Sequence, residues 1–241
     1  MAWGLGLALA GGGWLCGEVV SDAVPVHTFS IVARDPATGE IGVAVQSKVV
    51  AVGAIVPWAQ AGVGAVATQA QANILAGPAG LAGLREGLSA TECLERLLDG
   101  DVLREVRQIA VLPAEGDPAA FTGSECRPAA GHRIGAHYAV QGNLLAGEEV
   151  LDAMEGAFLE AEGELADRLI AALRAGQTAG GDRRGQQSAA LLVVRQGWGY
   201  GGAGDRYRDL RVDDAAEPVE ELARIHDLHR ALFPRPEVGQ R

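Results

Sequence analysis

The sequence predicts a mixed α+β domain in which two β-sheets pack together with helices outside them. Three observations predict it. An alternating extended pattern repeats on either side of a turn early in the chain. Several short strand-like segments after it are almost continuously apolar, as strands covered on both faces must be. The elements then run as strands, paired helices, strands and a last helix, which departs from the strict βαβ alternation of a doubly wound sheet. The chain has 241 residues, of which 48% are hydrophobic and 21% charged, and a layered fold of that size forms one core.

Thr28-Phe29-Ser30-Ile31-Val32-Ala33-Arg34 alternates and is rich in β-formers. Asp35-Pro36-Ala37-Thr38-Gly39 supplies turn chemistry, and Ile41-Gly42-Val43-Ala44-Val45-Gln46-Ser47 resumes the extended pattern, so this stretch reads as a β-hairpin. Val49 to Val56 and Gly62 to Gln69 read as further short strands built from small residues. Gly77 to Glu86 is expected to be helical. Ser89 with Glu92 three residues on is a capping box that opens a helix through Leu98. Val106 to Leu112, Ala119 to Thr122 and His137 to Gln141 return to strand. Helices follow at Glu148 to Glu160 and Glu164 to Ala175, where Val150, Leu151, Met154 and Phe158, then Leu165, Leu169, Ile170 and Leu173, recur at helical spacing. Ser188 to Arg195 reads as a buried strand, Asp209 to Asp213 as a short one, and Pro218 opens a last helix to about Leu232.

One domain is therefore expected from residue 28 to residue 233, with an extension at 1–27 and a polar tail at 234–241. In the extension, Trp3 to Cys16 has the length of a signal-peptide apolar region but no Lys or Arg before it, and it is too short to span a bilayer. A poor export signal, a removable pro-segment and a translation start upstream of the true one near Val26 all fit. A cytoplasmic location is expected, with export as the alternative if the extension acts as a signal, and no integral membrane span is expected.

A formal net charge of -11 opposes the long-range field that nucleic acid needs, so nucleic acid is not expected as a partner. Cys16, Cys93 and Cys126 are too few and too scattered for a disulfide framework or a zinc site, and read as buried or idle thiols. His132 with His137, and His226 with His229, invite a metal reading. No carboxylate or cysteine stands at a spacing that completes a recognised site, so surface histidines are expected, with no metal. Gly62 to Ala67 and Gly199 to Gly204 both match a dinucleotide fingerprint in letters, but neither stands between a strand and a helix, so no cofactor is expected. No Gly-x-Ser-x-Gly elbow occurs.

Two polar constellations carry more information. Asp182-Arg183-Arg184, in a glycine-rich loop, can present guanidinium forks to a substrate carboxylate or amide oxygen, or pair with Asp213 and Asp214. Gln141-Gly142-Asn143, at a strand end, can donate to an oxyanion or close a turn.

A Thr opening the first strand of a hairpin, answered across the turn by Gly42 to Lys48, resembles the start of N-terminal nucleophile hydrolases. More closely, the segments Thr28 to Pro36, Val56 to Ala59, Gly62 to Gln69, Val140 to Ala146, Gly180 to Gly185 and Asp209 to Asp214 resemble the domain of unknown function 1028, a family of that superfamily. Where many relatives carry a histidine after the Asp-Asp pair, this chain has Ala215. The resemblance implies a four-layer αββα sandwich and an amide or acyl hydrolase with Thr28 as nucleophile. It implies Ser47 and Lys48 orienting the amine, Asn143 donating to the oxyanion, and Gln69, Asp182, Arg183 and Arg184 binding substrate. The substrate implied is a small-molecule or peptide-like amide, and a homo-oligomer is the general expectation for such enzymes. The alternative is a non-catalytic protein that binds a small molecule or peptide on the same fold and never frees Thr28, since an internal threonine lacks the amine that would serve as its base.

Overall fold

The computed structural model describes residues 25–236, so the expectations for Trp3 to Cys16 and for the end of the tail lie outside the described residues. Asp35 opens the first turn, its Oδ1 accepting from the Ala37 amide at 2.9 Å and its carbonyl from Gly39 at 2.8 Å. The turn joins β1 (Thr28–Asp35) to β2 (Glu40–Ser47), antiparallel and in register from Thr28 opposite Ser47 to Asp35 opposite Glu40. Among the described residues there follow β3 (Pro57–Gln60), β4 (Gly64–Ala70), α1 (Ala76–Arg85), α2 (Ala90–Leu98), β5 (Arg107–Pro113), β6 (Ala119–Thr122), β7 (Gly131–Gly135) and β8 (Tyr138–Gly142). The chain continues through α3 (Glu149–Glu160), α4 (Leu165–Thr178), β9 (Ser188–Val194), β10 (Arg206–Val212) and α5 (Pro218–Leu232). All strand pairs are antiparallel. One sheet has the order β10-β9-β2-β1-β8-β7 and the other β3-β4-β5-β6.

Alternation along β1 and β2 divides their side chains between two cores. Val32, Val43 and Val45 face the other sheet and pack with Ala65, Ala67, Ala110 and Leu112. Phe29, Ile31 and Ala44 face the opposite way, onto Met154, Phe158, Leu169 and Leu173 of α3 and α4 and Leu222 of α5. A third core lies outside the smaller sheet, where Val66, Ile109 and Val111 meet Leu81, Leu84 and Leu94 of α1 and α2. Each sheet is thus apolar on both faces, as the near-continuous apolar runs require. Helix α1 lies close to β3 because Gly77 has no side chain: a Cβ there would stand 2.2 Å from the Trp58 ring.

The capping box at Ser89 is present in both directions, with the Glu92 amide donating to Ser89 Oγ and the Ser89 amide to Glu92 Oε2. Ser89→Ala is expected to cost about 1 kcal/mol of stability, read as a small fall in the urea midpoint at unchanged slope.

Two expectations need correction. Val49 to Val56 is no strand. It forms a turn and a short 3-10 segment at Val52–Ala54, entered through Ala51 at φ 54. Its backbone amides find other partners, Ala51 N–H on the Asp213 carbonyl and Val52 N–H on Ser188 Oγ, while Val52 and Val56 drop into the core between the sheets. His226 is not a surface histidine. It is buried, with Nε2 3.1 Å from Asp167 Oδ1 and 3.4 Å from Glu164 Oε1. A cation placed among these three would meet the guanidiniums of Arg208 and Arg230, which already occupy the same carboxylates.

No helix among the described residues is long and apolar enough to cross a membrane. Cys93 is buried and Cys126 half-buried, both as free thiols, and burial pushes the Cys126 thiol up to about 11. The glycine run at Gly62 to Ala67 crosses from the β3–β4 turn into β4, and the run at Gly199 to Gly204 lies in the β9–β10 connection with β10 after it, so neither opens a helix.

Candidate functional site

The hairpin register places Thr28 and Ser47 opposite each other at the open end of β1 and β2, side chains on the face between the sheets. Both are fully buried. Ser47 Oγ–H donates to the His27 carbonyl at 2.6 Å, which leaves its lone pairs free for the Thr28 hydroxyl. Thr28 Oγ1 lies 3.1 Å from Ser47 Oγ and 2.9 Å from the Val26 carbonyl, and its single proton serves one or the other. The hydroxyl of Thr28 is therefore surrounded by polar atoms.

The segment before Thr28 covers it. Val26 makes a two-bond bridge to Ala70 at the end of β4, N–H to carbonyl at 2.6 Å one way and 2.9 Å the other. His27 is held at three points. Its carbonyl accepts from Ser47 Oγ and from Arg184 Nη2 at 2.9 Å, and its ring Nδ1 lies 2.7 Å from Asn143 Oδ1. Burial holds the His27 imidazole below its ordinary range, against the opposing pull of Asn143.

Arg184 is aimed by Asp182, which is buried at 1% exposure. Asp182 Oδ2 accepts from Arg184 Nη2 at 2.6 Å, and Oδ1 accepts from the Arg184 amide at 2.9 Å. Asp213 and Asp214 take no part. The Asp213 carbonyl accepts from Ala51 and the Asp214 carboxylate from Gln187. Arg183 is exposed, and its side chain has no hydrogen bond or ion pair among the described residues.

Beneath Thr28 lies a buried network of amides. Gln108 Nε2 faces the carbonyls of Gly131 at 3.0 Å and Gly142 at 2.9 Å, so its Oε1 must accept. It does so from Gln69 Nε2 at 2.8 Å and Asn143 Nδ2 at 2.9 Å. This fixes Asn143 with its oxygen toward His27, so His27 Nδ1 carries the proton between them. Gln69 Nε2 also reaches the Thr28 carbonyl at 3.3 Å, and the Asn143 amide donates to the same carbonyl at 3.0 Å. Gln69 Oε1 accepts from Ser30, and Gln141 Nε2 donates to the Ala67 carbonyl. Lys48 fixes Asp182 through its backbone amide at 3.3 Å, while its ammonium donates to the Gln186 carbonyl at 3.2 Å.

Of the residues singled out in the sequence, Thr28, Ser47, Gln69, Asn143, Asp182 and Arg184 thus meet around one peptide bond, His27–Thr28. The Lys48 ammonium is bound to the Gln186 carbonyl, and Arg183 is exposed. Sequence reasoning missed Gln108, although a glutamine inside an apolar strand is itself a sign of a buried polar network. It also missed the polar cradle that His27 fills. A cavity of about 280 Å³ opens beside His27, lined further by Ala70, Leu103, Val106, Cys126 and Arg127.

Residues 28–222 match the family model described as Family of unknown function (DUF1028). The chain belongs to the DUF1028 family. The matched region begins at Thr28, the first residue of β1. A crystal structure of DUF1028 protein SPO2555 from Silicibacter pomeroyi is similar, with 32% sequence identity and a TM-score of 0.77 over 85% of this chain and 89% of that one. No curated protein matches the chain.

Proposed function

We propose that this DUF1028 protein is an N-terminal nucleophile hydrolase of amide or acyl bonds, with Thr28 as nucleophile once the chain is opened between His27 and Thr28. One observation carries the reading. The carbonyl of the His27–Thr28 bond already accepts from two donors, Ser47 Oγ–H and the Arg184 guanidinium, beside the Thr28 hydroxyl. Loss of His27 leaves both donors beside a free α-amine, in position for the carbonyl of another acyl group. The two sheets lying between α1–α2 and α3–α5 support it as well, being the αββα arrangement expected of that superfamily.

The chemistry follows from the residue itself. A free α-amine titrates near about 7.7–8.0, so it takes the Thr28 hydroxyl proton near neutral pH, which a peptide nitrogen cannot do. Oγ1 then attacks the acyl carbon, and Ser47 and Arg184 hold the oxyanion in place of the Asn143 side chain, whose Nδ2 donates to Gln108 and whose oxygen faces the His27 position. The leaving amine departs with the proton from the Thr28 ammonium. Water, deprotonated by the same amine, hydrolyses the ester and restores Thr28. Gln69 and Asn143 act as positioning residues through the Thr28 carbonyl, and Asp182 acts through Arg184.

A second reading, a binding protein that keeps its extension, is favoured by the two-bond tie of Val26 to Ala70 and the full burial of Thr28. Intact-mass measurement and N-terminal sequencing separate them. A mature chain starting at Thr28 is expected, and one starting upstream moves the assignment to the binding protein.

A further inference from the structure

The entrance to the site carries charge that the hydrolytic steps leave unused. Leu144 stands in the left-handed region at φ 53, uncommon for a residue with a Cβ. It is held there by two backbone bonds, its amide to the Arg127 carbonyl and its carbonyl to the Arg183 amide, both at 2.9 Å. Two arginines distant in sequence are thereby tied to one residue, next to Asn143 and so next to the His27 cradle. Both side chains are exposed, and neither has a hydrogen bond or ion pair among the described residues. Most other arginines of the described chain are paired, as in the contacts of Arg96 with Glu86, Arg174 with Glu220, and Arg224 with Glu221. Arg127 also lines the 280 Å³ cavity beside His27. On a chain of net charge -11, two unpaired arginines whose backbones meet at one residue beside the site are a local concentration of positive charge.

We infer that Arg127 and Arg183 form a cationic rim to this site and that the molecule it takes carries a carboxylate. That this molecule is a substrate rests on the hydrolase reading; the anion site does not. A guanidinium fork matches a carboxylate in shape, and a free one gains a charge-assisted hydrogen bond without giving up a protein partner. The apolar wall of Leu103, Val106 and Ala70 suits a short aliphatic stem between that carboxylate and the reacting carbonyl. Glu125, also in the lining, has the opposite sign and would repel a carboxylate placed next to it, which leaves the arginine side as the anchor.

The test is a calorimetric titration of the purified full chain with glutarate and with uncharged glutaramide, at low salt. Glutarate is expected to bind about tenfold more tightly. Arg127→Ala/Arg183→Ala should erase the preference, while Arg224→Ala, on the far side of α5, keeps it. Raising the salt concentration on the unaltered chain should shrink it, which covers the case of a double variant that does not fold. Equal binding of the two ligands, no binding of either, or a preference that survives both the double variant and salt overturns the inference. The hydrolase reading fails separately, through a mature chain that does not start at Thr28 while the glutarate preference stands.

Discussion

Replacing Thr28 by alanine is expected to lower amide turnover by about 10⁴-fold, because in the proposed mechanism it removes the atom that forms the covalent intermediate and leaves only the oxyanion donors and binding. The comparison belongs on chains produced to begin at residue 28, so that loss of the extension does not depend on the substituted hydroxyl. Thr28→Ser keeps both hydroxyl and amine and should retain much of the rate. The structural cost of the alanine is small by comparison. In a chain that begins at residue 28 the Val26 carbonyl is gone and Thr28 Oγ1 keeps Ser47 as its partner, and a lost hydrogen bond of that kind is worth about 1 kcal/mol. An activity loss of that size with a nearly unchanged melting temperature would separate chemistry from folding. Undiminished turnover by Thr28→Ala would end the proposal that this hydroxyl is the nucleophile.

The hairpin that carries Thr28 was legible because alternation, turn chemistry and resumption of alternation fix both the strands and their register, which sets Thr28 against Ser47. Helices α2 and α5 were legible from a capping box and from a proline at the first turn. Other features were hidden for physical reasons. The apolar run at Val49 to Val56 looks like a buried strand because burial needs only apolar side chains, and periodicity cannot tell a strand from a turn that drops two valines inward. Strands β3 and β7 lie at sheet edges; one begins with Pro57, the other is bounded by Gly131 and Gly135, and such residues weaken any strand signal. The burial of His226 was readable, since Val219, Leu222, Ala223 and His226 stand at i, i+3, i+4 and i+7 on one face of α5. Gln108 and Arg127 reach the site only through long-range pairing of β5 with β4 and of Leu144 with the segment before β7, and no local pattern encodes such meetings.

The largest expected loss of stability lies away from this site, at Arg208 and Glu164. Arg208 is fully buried on β10, and the Glu164 side chain, just ahead of α4, is 4% exposed. Arg208 Nε and Nη2 donate to Glu164 Oε1 at 3.2 and 3.0 Å, and Tyr207 Oη donates to Oε2 at 2.9 Å. Burial, with Glu164 adding to it, pushes the Tyr207 phenol up, so Tyr207 stays a donor at any ordinary pH. Arg208 Nη1 reaches the Phe233 carbonyl at 2.9 Å, which ties the end of α5 to the sheet. Such a pair adds little over apolar packing when whole, because desolvation offsets attraction, but removing one partner strands the other charge. Arg208→Met is therefore expected to cost about 3–5 kcal/mol, a fall in melting temperature of about 10 °C for a chain of this size. Adding Glu164→Leu should recover much of that loss. Chemical unfolding of the four members of the cycle would measure the coupling. A single variant within about 1 kcal/mol of the parent would mean that water or a neighbouring group already satisfies Glu164.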